Sequence, residues 1–117
     1  MDRTIFEPEH KEFRAAVATY LERSITPQLE RYIDDRLIDR AAWEEAGKQG
    51  FLGLEVPEEY GGSLAQDYRF NTIATEEMSK VSVGFNSSLQ IHADIVAPYL
   101  VELGTEELKT RLLPDFC

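Results

Sequence analysis

The chain has 117 residues, 22 Asp+Glu against 12 Lys+Arg, and a formal net charge of −10 with a pI near 4.6. Hydrophobic residues make up 43% and charged residues 29%, a globular balance in a length that suits one domain. The acidity argues against binding a nucleic-acid backbone or an anionic bilayer, and no run of about 18 apolar residues is present to span a membrane.

Helical spacing dominates the chain. Phe13, Val17, Tyr20 and Leu21 form one stripe of an amphipathic helix. Pro8 suits its first turn, and Glu7, Glu9 and Glu12 place negative charge at the positive end of its dipole. Pro27 is expected to end or kink it, ahead of a short helix around residues 28–33 that presents Leu29, Tyr32 and Ile33. Asp39 reads as the N-cap of a third helix, residues 40–49, with Ala42, Trp43 and Ala46 inward and Gly50 as its left-handed stop. Residues 51–56 are too short and too rich in glycine for another helix. They read as an extended, half-buried segment that leads into a rigid turn over residues 57–62.

Asp67 caps a fourth helix with Phe70, Ile73, Ala74, Glu77 or Met78, and Val81 on its inner face. A loop is expected over residues 82–86, then a long helix over residues 87–103 with the stripe Leu89, His92, Val96, Tyr99, Leu100 and Leu103. Pro98 is expected to kink or divide it, and Gly104 to stop it. Thr105 starts a last helix that Pro114 ends. The fold class is therefore all-α, a bundle of about six helices.

Little here carries chemistry on its own. His10 and His92 lie far apart with no second ligand at helical spacing, so no metal site is expected. The single Cys117 excludes an internal disulfide and fits a reducing, cytoplasmic setting. The start Met1-Asp2-Arg3-Thr4 has no leader pattern. Ser63, Ser82, Ser87 and Ser88 lack a nucleophile elbow, and Gly61-Gly62 precedes no phosphate-binding Lys. Among the adjacent carboxylates, Glu76 or Glu77 stands out: its helix turns apolar residues inward, so a buried carboxylate there needs a cationic or amide partner.

Several stretches, in order and in register, resemble the N-terminal α-helical domain of the acyl-CoA dehydrogenases. They are Ile5-Phe6-Glu7-Pro8-Glu9-His10-Lys11-Glu12-Phe13, Trp43-Glu44-Glu45-Ala46-Gly47-Lys48-Gln49-Gly50-Phe51-Leu52-Gly53, Val56-Pro57-Glu58-Glu59-Tyr60-Gly61-Gly62, Glu76-Glu77, Ile91-His92-Ala93-Asp94-Ile95-Val96 and Gly104-Thr105-Glu106-Glu107-Leu108-Lys109. The Ile-His-x-x-Ile-Val stretch is most similar to the long-chain branch.

The resemblance implies FAD-dependent α,β-desaturation of a fatty acyl-CoA, with an electron-transfer flavoprotein reoxidising the FAD. It implies a homo-oligomer, and a protein in which a middle β domain and a C-terminal helical domain follow this one and supply most flavin contacts and the catalytic Glu. On that basis residues 1–117 are the N-terminal helical domain, with no catalytic, cofactor-binding or metal-ligating residue of their own, and the fragment alone is expected to be inactive. What it contributes is one wall of the acyl-chain cavity. The candidates are Ser87, Gln90, Ile91, Asp94 and Ile95, on or near one side of the long helix. Two other readings compete: a non-enzymatic helical interaction module, and an acyl-CoA oxidase of the same fold.

Overall fold

A computed structural model describes residues 3–117. Every regular element among them is helical, as the spacing predicts. Helix α1 (Pro8–Tyr20) opens with Pro8 at its first turn. His10 reaches back from the third helical position, its Nδ1 accepting the Glu7 backbone N–H at 2.9 Å. The chain then stays helical through a wide π turn (Leu21–Ile25) and a 3₁₀ turn (Thr26–Gln28) into α2 (Leu29–Asp35). Pro27 therefore tightens the helix rather than ending it. Its ring crowds the carbonyl four residues back, and the widened turn just before it relieves that crowding.

Arg36 takes a left-handed conformation (φ 54°) after α2. Helix α3 (Arg40–Lys48) follows Asp39, and Gly50 has φ 81°, the stop expected there. Asp39 stands at the N-cap without capping: its carboxylate takes the Arg31 guanidinium instead, at 2.5 and 3.0 Å. Ala42 and Ala46 point inward as expected. Trp43 is only half-buried, and Ile33 of α2 is 65% exposed, contrary to the inward placement that spacing suggests.

The segment after α3 is more deeply buried than expected, with Phe51, Leu52, Leu54 and Val56 all in the core. Three backbone hydrogen bonds lace it to residues 63–65: Ser63 to Gly53, Leu64 to Val56 and Ala65 to Leu54. Between them a single 3₁₀ turn (Glu58–Tyr60) and Gly61 at φ 97° make the corner.

Helix α4 (Arg69–Val81) buries Asn71, Ile73, Ala74, Glu77 and Met78, and leaves Phe70 and Val81 half-buried. Asp67 sits two residues before it and accepts the Arg69 backbone N–H at 3.0 Å. The loop expected over residues 82–86 is absent. Ser82 is itself an N-cap, accepting the Phe85 N–H at 3.2 Å, and α5 (Val83–Gln90) starts at once. A second π turn (Ile91–Val96) joins α5 to α6 (Ala97–Leu103) without a break. Pro98 again lies just past the wide turn, and the helix is not divided. Gly104 ends α6 in an extended conformation; a Cβ there would sit 2.4 Å from the Leu100 carbonyl oxygen, so space rather than a left-handed φ demands glycine. Thr105 caps α7 (Glu106–Phe116) through the Leu108 N–H. Pro114 lies inside α7 rather than terminating it.

The helices form a slab 40 × 39 × 19 Å, about two helix diameters thick. The main core gathers Val17, Tyr20, Leu21 and Ile25 from the first helical stretch, Ala42 and Ala46 from α3, Phe51 and Leu52, Ala74 and Met78 from α4, and Phe85, Leu89 and Ala93. A smaller core joins Val56, Tyr60, Ala97 and Leu113. So thin a slab leaves broad faces uncovered. Ile91, Ile95, Val96, Tyr99 and Leu103 along α5–α6 are between 38% and 75% exposed.

Candidate functional site

The five residues chosen from sequence lie together on one side of α5 and the turn after it. Ser87, Ile91 and Ile95 are exposed there, while Gln90 and Asp94 are half-buried. Gln90 lies against α4, its Nε2 3.8 Å from the Met78 Sδ. Asp94 also faces α4. Tyr68 donates its phenolic O–H to Asp94 Oδ2 at 2.6 Å, and Asn71 Nδ2 donates to Oδ1 at 2.8 Å. The Tyr68 phenol is pushed up to about 12, first by that hydrogen bond and then by burial. Burial, reinforced by Asp94 and then Glu102, raises the Glu55 carboxyl. The far side of the Asn71 carboxamide is unusual: its oxygen is buried without a hydrogen-bond partner among the described residues. Because Asp94 only accepts, the amide nitrogen must face it, which fixes the oxygen on the opposite side.

Sequence spacing found Asp94 but not its two partners, 26 and 23 residues away. One signal was available: Asn71 is a polar residue three positions before Ala74 on the helix's inner face, and a buried residue of that kind needs a partner.

The carboxylate singled out in α4 does have its cations. Glu77 is 7% exposed and meets Arg14 Nη1 at 2.5 Å and Lys80 Nζ at 2.6 Å. Glu76 pairs with Arg14 at 2.8 Å and with Arg3. The Arg3 hydrogen bond, with help from Arg14, holds the Glu76 carboxyl down at about 2. A second cluster binds the start of the chain to α4. The fully buried His10 places its Nε2 2.7 Å from Asp67 Oδ2. With Nδ1 accepting from Glu7, Nε2 carries the proton and donates it. Arg69 holds the same Asp67 and the Ile5 carbonyl, and keeps the Asp67 carboxyl far below its usual range. These are structural ties between the start of the chain and α4.

His92 packs as a hydrogen-bonded, half-buried residue. It stacks on Phe116 with ring centroids 3.6 Å apart, and its Nε2 lies 2.7 Å from the Phe116 carbonyl oxygen. Together with Leu37, Trp43, Leu52 and Cys117 it lines a cleft of about 770 Å³ beside the end of α7. None of the five α5–α6 candidates lines that cleft.

Among the described residues the fold is all-helical, with an open apolar helix face along α5–α6. The profile described as "Acyl-CoA dehydrogenase, N-terminal domain" matches residues 7–117, and the chain belongs to that family. The long-chain specific acyl-CoA dehydrogenase of rat mitochondria (Rattus norvegicus) is 34% identical over 113 residues, covering 97% of this chain and 26% of the relative. The crystal structure of acyl-CoA dehydrogenase from Geobacillus kaustophilus superposes with a TM-score of 0.84 at 36% identity, over 97% of this chain and 30% of that one. An acyl-CoA dehydrogenase from Bacillus anthracis, complexed with FAD, gives a TM-score of 0.86 at 31% identity, over 99% and 20%. The chain thus spans about a quarter of the length of the curated relatives it matches.

Proposed function

We propose that this chain is the N-terminal helical part of a FAD-dependent dehydrogenase that introduces an α,β double bond into fatty acyl-CoA. In that reading it supplies one wall of the acyl-chain cavity from the face that carries Ser87, Gln90, Ile91 and Ile95. The observation that carries it is the apolar strip of α5–α6. Ile91 and Ile95 are each 50% exposed, on a helix that buries Leu89, Ala93 and Ala97 on its other side. Covering such a strip with alkyl chain is worth about 0.8 kcal/mol per methylene. The mitochondrial long-chain relative from rat supports a long acyl group as the substrate class.

The residues here do not fit FAD by themselves. Five of the eight arginines, Arg3, Arg14, Arg31, Arg40 and Arg69, are already in ion pairs with carboxylates, and the sequence holds no Gly-x-Gly-x-x-Gly run and no phosphate-binding Lys after Gly61-Gly62. Flavin, the carboxylate base and the contact with an electron-transfer flavoprotein are therefore assigned to the rest of such a protein. Self-association through the uncovered strip fits the same reading.

The test is a titration of the isotope-labelled 117-residue chain with dodecanoyl-CoA, followed on isoleucine methyl resonances. Ile91 and Ile95 should shift while the buried Ile25 and Ile73 stay still. Shifts confined to residues around the Trp43–His92 cleft, or no shift at Ile91 and Ile95, would refute the reading. The chain alone should purify without flavin absorbance.

A further inference from the structure

Wide π turns are rare and concentrate at functional sites, since the extra residue disturbs regular hydrogen bonding and has to be held from outside. The turn Ile91–Val96 has such a hold. Asp94 lies in it, and its two carboxylate oxygens are divided between Tyr68, just before α4, and Asn71 within α4. Both are short, charge-assisted hydrogen bonds, the kind that fixes geometry best. Spacing alone groups Asp94 with Ile91 and Ile95. The geometry separates them, because the carboxylate is turned into α4 while both isoleucines stand half-exposed.

We infer that Asp94 is a positioning residue rather than part of the acyl wall: clamped by Tyr68 and Asn71, it fixes the wide turn and thereby the direction in which Ile91 and Ile95 project. This rests on the acyl-wall reading of α5–α6. One extra residue in a turn rotates all that follows by roughly 100° relative to a regular helix. If the turn relaxed, Ile95 would swing relative to Ile91, and Tyr99 and Leu103 would follow it. The clamp thus determines whether the two isoleucines serve one acyl chain together.

The experiment compares the 117-residue chain with its Asp94→Ala and Tyr68→Phe variants. Amide exchange over residues 91–96 should rise about tenfold in Asp94→Ala and about threefold in Tyr68→Phe, with α1 amides unchanged. The Tyr68 phenol, pushed up to about 12 in the parent chain, should titrate clearly lower in Asp94→Ala, where the hydrogen bond that raises it most is gone. With dodecanoyl-CoA, the paired response of the Ile91 and Ile95 methyls should become unequal in both variants. Tyr68 is 59% exposed, so Tyr68→Phe leaves the core intact and decides the matter should Asp94→Ala fail to fold.

Exchange that is unchanged at 91–96, or raised evenly in every helix, overturns the clamp, as does a Tyr68 phenol indifferent to residue 94. The two readings fail differently. If only the acyl wall is wrong, the methyls ignore dodecanoyl-CoA while the exchange and phenol effects persist. If only the clamp is wrong, the methyls respond identically in parent and variants.

Discussion

Replacing Gly62 with alanine tests whether the corner after Val56 is governed by space or by backbone conformation. A Cβ at Gly62 would lie 2.0 Å from the Val56 carbonyl oxygen and 2.5 Å from its carbon, where ordinary contact starts at 3.4 Å. The obstacle is backbone, so no side-chain rotation relieves it. Val56 is fully buried in the small core with Tyr60, Ala97 and Leu113, and its carbonyl accepts the Leu64 N–H at 3.0 Å. Overpacking of this kind costs about 1–3 kcal/mol, and losing the Leu64 bond adds about 1. A loss of about 3 kcal/mol should lower Tm by roughly 10–15 °C in a chain of this size. Gly61 offers the internal contrast. Its φ is 97° but a Cβ there meets nothing closer than 3.8 Å, so Gly61→Ala should cost only the left-handed strain, about 1–2 kcal/mol. Gly84, exposed in α5 with only Ser82 Oγ at 3.7 Å, should accept alanine with a gain of about 0.5 kcal/mol. Urea denaturation followed by circular dichroism measures all three. The steric account fails if Gly62→Ala is neutral or if Gly61→Ala proves the more damaging change.

The ion network of α4 makes two further predictions. Arg14→Ala removes one of two cations from the nearly buried Glu77 and one of two from Glu76, and should destabilise by about 2 kcal/mol in urea unfolding, whereas Lys80→Ala, at a side chain 66% exposed and touching Glu77 alone, should cost less. Equal losses in the two variants would refute the assignment of Arg14 as the principal partner. The Glu76 carboxyl is depressed from 4.5 to about 2 in the folded chain, so the stability it contributes is fully present above 4.5 and disappears as pH falls through about 2. Glu76→Gln should flatten the stability profile across that interval, and an unchanged slope there would count against the Arg3–Glu76–Arg14 arrangement.

Helix positions were legible in the sequence wherever one period governed a whole element. Where two helix types join, a fixed 3.6-residue spacing selects the wrong residues. The expected stripe Leu89, His92, Val96, Tyr99, Leu100 and Leu103 leaves Val96, Tyr99 and Leu103 exposed and Leu100 half-buried. The buried series is instead Phe85, Leu89, Ala93 and Ala97, four residues apart each time. A run that alternates α turns with a wider π turn averages close to four, and that is the spacing seen. The first stretch repeats it, with Phe13, Val17, Leu21 and Ile25 on the inner side and a π turn at Leu21–Ile25. In both cases a proline follows two residues after the wide turn, Pro27 after Ile25 and Pro98 after Val96. A proline preceded by apolar residues at four-residue intervals was thus a readable sign of a continuous, locally widened helix rather than a broken one.

The candidate site was legible by half for a related reason. The family resemblance singles out the helix, and Ser87, Gln90, Ile91, Asp94 and Ile95 lie on or near one side of it; periodicity says which side a residue occupies. It does not say what a polar side chain on that side holds. Asp94 shares the side with Ile91 and Ile95, yet Tyr68 and Asn71 draw its carboxylate toward α4. Those partners come from another helix, and the distance between them in sequence is set by the connection through Ser82, which caps α5 directly instead of opening a loop. The tight join brings the start of α4 back beside the turn at Asp94, because two antiparallel helices linked at one end stay in contact along their length. With a loop over residues 82–86, α5 would be free to tilt away and Asp94 would reach solvent. The short Ser82 cap is therefore what converts an acidic residue on an apolar strip into a pin for the strip itself.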